Sequence, residues 1–115
     1  MTDSQASAPI TPEAAYATAP SITREITWVS YTARDFSQLT DPREYWLRKA
    51  AVFDRIALAE HKRPFVVAGS TDTDESTALL ADVNARRLID HDHVTTTDAP
   101  RDYVRNAYAR WINEQ

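Results

Sequence analysis

The 115-residue chain has no cysteine and a single glycine, Gly69. Without thiols there is no disulfide framework, no thiolate metal site and no cysteine nucleophile, so any metal would need His, Asp or Glu ligands. One glycine excludes the GxGxxG dinucleotide turn, the Walker phosphate loop and the GxSxG nucleophile elbow, each of which needs several positions that only glycine can occupy. Excess positive charge is missing too: 13 Lys+Arg stand against 17 Asp+Glu, a formal charge of −4. Dedicated nucleic-acid binders are usually basic, which disfavours that class. No apolar run approaches the ~18 residues of a membrane helix, and Met1-Thr2-Asp3-Ser4 does not resemble the start of a secretion signal. The expectation is a cytoplasmic domain that uses no cofactor, no metal and no membrane.

What the chain does contain is alanine, arginine and aromatic residues. The basic residues are 11 Arg and only Lys49 and Lys62, a bias that fits a GC-rich bacterial genome. Residues 1–22 hold six Ala, three Pro, three Ser and three Thr, with Ile10, Tyr16 and Ile22 the only large apolar side chains after Met1. Too little apolar surface stands there to offset an ordering entropy of about 1–2 kcal/mol per residue. A disordered tail over 1–22 and one small helical domain over 23–115 follow.

Within that domain, residues 26–31 (Ile-Thr-Trp-Val-Ser-Tyr) are β-branched and aromatic and compatible with an extended segment, although six residues are too few to decide. Thr32-Ala33-Arg34-Asp35 has the spacing of a capping box and predicts a short helix with Phe36 and Leu39 buried. Asp41-Pro42-Arg43-Glu44 is a stronger start signal, with Asp41 as N-cap, Pro42 in the first position and Glu44 in the third. From there to about Glu60, Trp46, Ala50, Phe53 and Ala57 share one arc, flanked by Tyr45, Leu47 and Ile56, while Glu44, Arg48 and Arg55 occupy a narrow opposite face. Asp54 falls among the apolar positions.

Residues 62–73 read as a connection, with 65–68 a candidate strand. A further helix is expected near Asp74, placing Ala78, Ala81, Ala85, Leu88 and Ile89 in one stripe and Leu79, Leu80 and Val83 in a second patch. After residues 94–97, a third candidate strand, Asp98-Ala99-Pro100 starts the last helix. Its stripe is Tyr103, Val104, Ala107, Tyr108, Trp111 and Ile112, with Arg101, Asp102, Arg105, Asn106 and Arg110 outside it and expected in solvent. The predicted fold is mainly α, a small bundle of three longer helices and one short helix behind the tail.

Three clusters carry potential chemistry. Asp90-His91-Asp92-His93 offers metal-ligand types, but the two rings diverge on a helix and no third ligand has a suitable spacing, so a polar helix end is the simpler reading. Thr71-Asp72-Thr73-Asp74-Glu75 resembles a cation loop in composition yet lacks the glycine and distal Glu of a calcium hand. Asp54 weighs more than either, because a carboxylate on an apolar face must be paired, hydrogen-bonded or protonated. The plain expectation is a buried ion pair, for example with Arg86 or Arg87.

Function follows from what such a fold leaves uncovered. Trp, Tyr and Arg dominate protein interfaces, and the last helix carries Tyr103, Arg105, Tyr108 and Trp111. These four are the candidate partner-binding residues of an interaction module, an accessory subunit or regulator with a protein partner or a second copy of itself. The unassigned Leu79, Leu80 and Val83 patch is the other candidate face. A nucleic-acid binder using Arg48, Lys49, Arg55, Lys62 and Arg63 is the alternative. A small acid/base enzyme, with Asp54 or His61 in an α+β cup, is a third reading.

Overall fold

The computed structural model of the chain describes residues 9–38, 41–61 and 71–115. Among them are five α-helices and one short 3₁₀ turn, and no strand. The helices are α1 (Pro12–Ala15), α2 (Ile22–Arg34), α3 (Pro42–His61), α4 (Thr71–Asp92) and α5 (Pro100–Asn113), with the 3₁₀ turn at Phe36–Gln38 between α2 and α3. The mainly-α class is therefore as the periodicity predicts.

Helix α3 is central, packing against α2, α4 and α5. Its start matches the sequence signal: Asp41 Oδ1 accepts from the Arg43 amide at 3.1 Å, and the Glu44 amide donates to the Asp41 carbonyl at 3.2 Å. The core is Leu47, Ala50 and Ala51 of α3, Ala85 and Leu88 of α4, and Val104, Ala107 and Tyr108 of α5. Half of these are alanine, so the three axes can approach closely, and the larger volume comes from rings around the rim. Tyr16, Trp46, Tyr103 and Trp111 pack against the cluster, Tyr16 edge-on to Tyr108 with centroids 5.3 Å apart.

Several expectations are corrected. Residues 26–31 are helical, inside α2, which begins four residues earlier where Ser21 Oγ accepts from the Arg24 amide at 3.2 Å. The helix start expected at Thr32 is thus the last turn of α2, and Phe36 is half-exposed against Tyr45 and Trp46, with centroids 5.1 and 6.0 Å away. Leu39 lies outside the described residues. Helix α4 begins at Thr71, three residues before the expected start, so Asp72, Asp74 and Glu75 belong to its first turns and not to a loop. Finally, residues 9–22 pack on the bundle although their composition predicts a tail: Thr11 caps α1, Ala15 is buried and Ala19 meets the core. Of the other candidate strands, 65–68 lies outside the described residues and 94–97 is unpaired.

Helix α4 ends on an unusual residue. His93 has φ 55°, and its amide donates to the Asp90 carbonyl at 3.1 Å. This is the left-handed position after a helix that glycine occupies most easily, because a β-carbon there crowds the carbonyl. We expect His93→Gly to stabilise the fold by roughly 0.5–1 kcal/mol, measured by urea unfolding; an unchanged or lower midpoint would mean that the imidazole contributes more than the backbone loses.

Candidate functional site

Asp54 is the most constrained polar group in the described structure. The residue is 0% exposed, placed by its position on the α3 face that meets α5 and the N-terminal segment. Tyr16 donates its hydroxyl to Oδ2 at 2.6 Å. Arg105 lies against both oxygens, Nε to Oδ2 at 2.8 Å and Nη2 to Oδ1 at 2.9 Å, in the paired geometry a guanidinium favours. Arg101 donates Nε to Oδ1 and Nη2 to the Asp54 carbonyl at 3.4 Å. A carboxylate has about four lone-pair sites, and all four are used. Asp102 accepts from Arg105 Nη1 at 3.4 Å, so two acids offset two arginines.

Charge follows from this geometry. Burial alone would push the Asp54 carboxyl up, but the hydrogen bonds from Arg105, Tyr16 and Arg101, with the charge of Arg105, together hold it below its ordinary value. The Tyr16 hydroxyl is pushed far up, by burial first and then by the Asp54 charge. Asp54 is thus an ionised acceptor with no lone pair left for a substrate proton. That is the chemistry of a joint and not of a general base.

Two smaller polar joints flank it. Arg48 of α3 donates Nε and Nη2 to Glu25 of α2 at 3.0 and 2.7 Å, and Nη1 to Glu44 at 2.7 Å. Its guanidinium lies 3.7 Å over the Trp28 ring, where the ring face attracts a cation. Arg43 grips Asp92 at the end of α4 with bonds of 2.7 and 2.9 Å, and Tyr103 donates its hydroxyl to the same carboxylate at 2.7 Å. Burial and then the Asp92 hydrogen bond push Tyr103 up to about 12.

Most candidate residues are therefore occupied inside the fold. Asp54 is paired with Arg101 and Arg105, and not with Arg86 or Arg87, the examples offered by the sequence. Of the proposed partner-binding residues, Tyr108 is buried, Trp111 packs on the core, Tyr103 holds Asp92, and the Arg105 side chain, 13% exposed, holds Asp54. The amphipathic pattern was legible, but whether its aromatic stripe faced the core or a partner was not. Arg101 and Arg105, expected in solvent, border that stripe and reach back over it.

Within the basic set, Arg48 is used by Glu25 and Glu44, Arg55 donates to the Pro20 carbonyl at 2.7 Å, and Lys49 lies 5.6 Å from the Tyr45 and Trp46 rings. Lys62 and Arg63 lie outside the described residues. The α+β cup of the third reading has no strand among the described residues, and no group of three or more His, Asp or Glu there could hold a metal. No helix there is long and apolar enough to cross a membrane.

Open grooves among the described residues include one of about 480 Å³ beside Arg86, Val94 and Thr96, and one of about 270 Å³ beside Pro12, Tyr16 and Leu58. The large exposed apolar side chains are more telling. Leu79, Leu80 and Val83 stand together on α4, whereas Ile26 and Tyr31 of α2 are five residues apart and about 140° around the helix from one another. Comparison with known proteins gives no match to a family model, a curated protein or a solved structure.

Replacing Asp54 by Asn should lower stability by about 3–5 kcal/mol, because two arginines lose their counter-charge. Tyr16→Phe removes a hydrogen bond to a charged group and should cost about 1.5–3 kcal/mol. Tyr108→Phe should be near neutral, since that hydroxyl is buried with no hydrogen-bond partner. Equal effects of the two tyrosine changes on the urea midpoint would contradict this assignment.

The pH profile follows from the same bonds. Asp54 and Asp92 are held low in the folded state, so their stabilisation is complete above the unfolded value near about 3.9 and is lost as pH falls below it. Tyr103 is raised, so its contribution is complete below about 10 and is lost as pH rises toward about 12. These groups leave stability flat between those limits; a midpoint that already falls steeply between about pH 7 and 5 would contradict them.

Proposed function

We propose that this domain is a protein-interaction module, an accessory subunit or regulator, that docks through the outward face of α4. The observation that carries the reading is the contiguous patch of Leu79, Leu80 and Val83, with Leu79 64% exposed. Residues at i, i+1 and i+4 share one helix face, and apolar side chains grouped on a face mark contact sites more often than scattered ones do. Opposite them on α4, Ala81, Ala85 and Leu88 are fully buried. The helix is therefore apolar on two sides, and only one side is satisfied by α3 and α5.

On this reading the aromatic stripe of α5 supports the fold and α4 meets the partner. The nucleic-acid alternative has less support, because Arg48 and Arg55 are used within the chain. The enzyme alternative has less again, as Asp54 has no free lone pair.

A photo-crosslinking residue placed at position 79 tests the proposal in cells, with the exposed position 27 of α2 as control. The expected result is a discrete adduct from 79 that is absent from 27. The same pattern from both positions would contradict docking through α4.

A further inference from the structure

We infer that the partner on this face is a second copy of the chain, bound with the two α4 helices antiparallel about a twofold axis. The inference rests on the docking reading above and names its occupant. What points to a second copy is the order of charge along the face. Glu75 stands exposed toward its N-terminal end. Leu79, Leu80 and Val83 fill the middle, and Arg86 and Arg87 stand exposed toward the C-terminal end.

This sequence of acid, apolar and base is complementary to itself when reversed. Its centre lies near Ala81: Leu79 and Val83 are two residues to either side, and Glu75 and Arg87 are six. A twofold axis at that level sets the apolar middle of one helix on that of its partner, and each acidic end beside the other basic end. A twofold interface needs this self-complementarity, because the same patch serves both subunits. Parallel pairing would instead set Glu75 on Glu75 and Arg87 on Arg87.

Competing contacts are weak. Among the described residues Arg86 has one ion pair, to Asp82 on its own helix at 3.1 Å, with side chains 66% and 38% exposed. Such exposed pairs within a helix hold little energy, so Arg86 is open to a second carboxylate. Arg87 has no ion pair among the described residues. Asp90 is also exposed on this face, but it lies nine residues from the centre, where crossing helix axes diverge.

The span from 75 to 87 is only about 18 Å of helix at 1.5 Å per residue. That is a small interface, below the roughly 800 Å² per partner of a tight complex, so the dimer should be reversible, with Kd on the order of micromolar or weaker.

Sedimentation equilibrium of the full chain at low salt, from about 1 µM to 1 mM, tests this. The expected mass rises from 13.0 kDa toward twice that value. Leu79→Glu should weaken association at least about tenfold, since the twofold axis counts each change twice. Glu75→Arg or Arg86→Glu alone should weaken it roughly tenfold, and the double exchange should restore it. All three sites are exposed, and far-UV circular dichroism checks that the variants fold.

A chain that stays monomeric to about 1 mM, or a dimer indifferent to these changes, overturns the inference. If position 79 still crosslinks to a different protein, the docking reading survives and only the second copy is wrong. A monomer with no adduct from 79 removes both.

Discussion

One ionised carboxylate inside an alanine-rich core is the constraint on which the rest of this fold depends. Asp54 is 0% exposed, and an unpaired charge there would destabilise the fold severely. It is tolerated because its partners arrive from two other parts of the chain, Tyr16 after α1 and Arg101 and Arg105 on α5. The carboxylate thus joins three segments that share few large apolar side chains. Removing any one leaves the others short of a hydrogen bond inside the fold, so the joint is cooperative by construction.

The same logic recurs at the edges. Arg48 ties α2 to α3 through Glu25, Arg55 holds the chain at Pro20, and Arg43 with Tyr103 closes the end of α4 on α3 and α5. Alanine at half of the core positions limits how much apolar burial can do, since a methyl group buries little area. Charge-assisted hydrogen bonds then set where the outer segments sit. Arginine suits this role better than lysine, because its planar fork meets a carboxylate at two points. The bias of 11 Arg to 2 Lys, whatever its origin, supplies the side chain this architecture uses.

Where a helix carried both a start signal and a wide apolar face, the sequence was readable. Asp41-Pro42 located α3, and the stripes of α4 and α5 located their buried sides. Thr11-Pro12 shares the cap-and-proline start of Asp41-Pro42, but a four-residue helix has no periodicity to support it. Its stability comes from Tyr16, which meets Asp54 38 residues away. Helix α2 was hidden for a different reason. Its β-branched and aromatic residues suit a strand locally, and the deciding interactions are the Ser21 cap and the tertiary pairing of Glu25 with Arg48. Asp54 was recognisable as an anomaly from its place on an apolar arc. Its partners were not, because Arg101 and Arg105 sit beside a stripe and only folding shows which way long side chains reach. The outward patch of α4 was visible as a second apolar face, and burial of the first against α3 and α5 distinguishes the two.

The most direct measurement is a double-mutant cycle between Tyr16→Phe and Asp54→Asn by urea unfolding. If the carboxylate joins the N-terminal segment to the bundle, the two losses should fail to add by at least about 1 kcal/mol, because each variant removes the same bond. Losses that add to within about 0.3 kcal/mol would mean that Tyr16 and Asp54 act independently, and the joint at the centre of this fold would not exist.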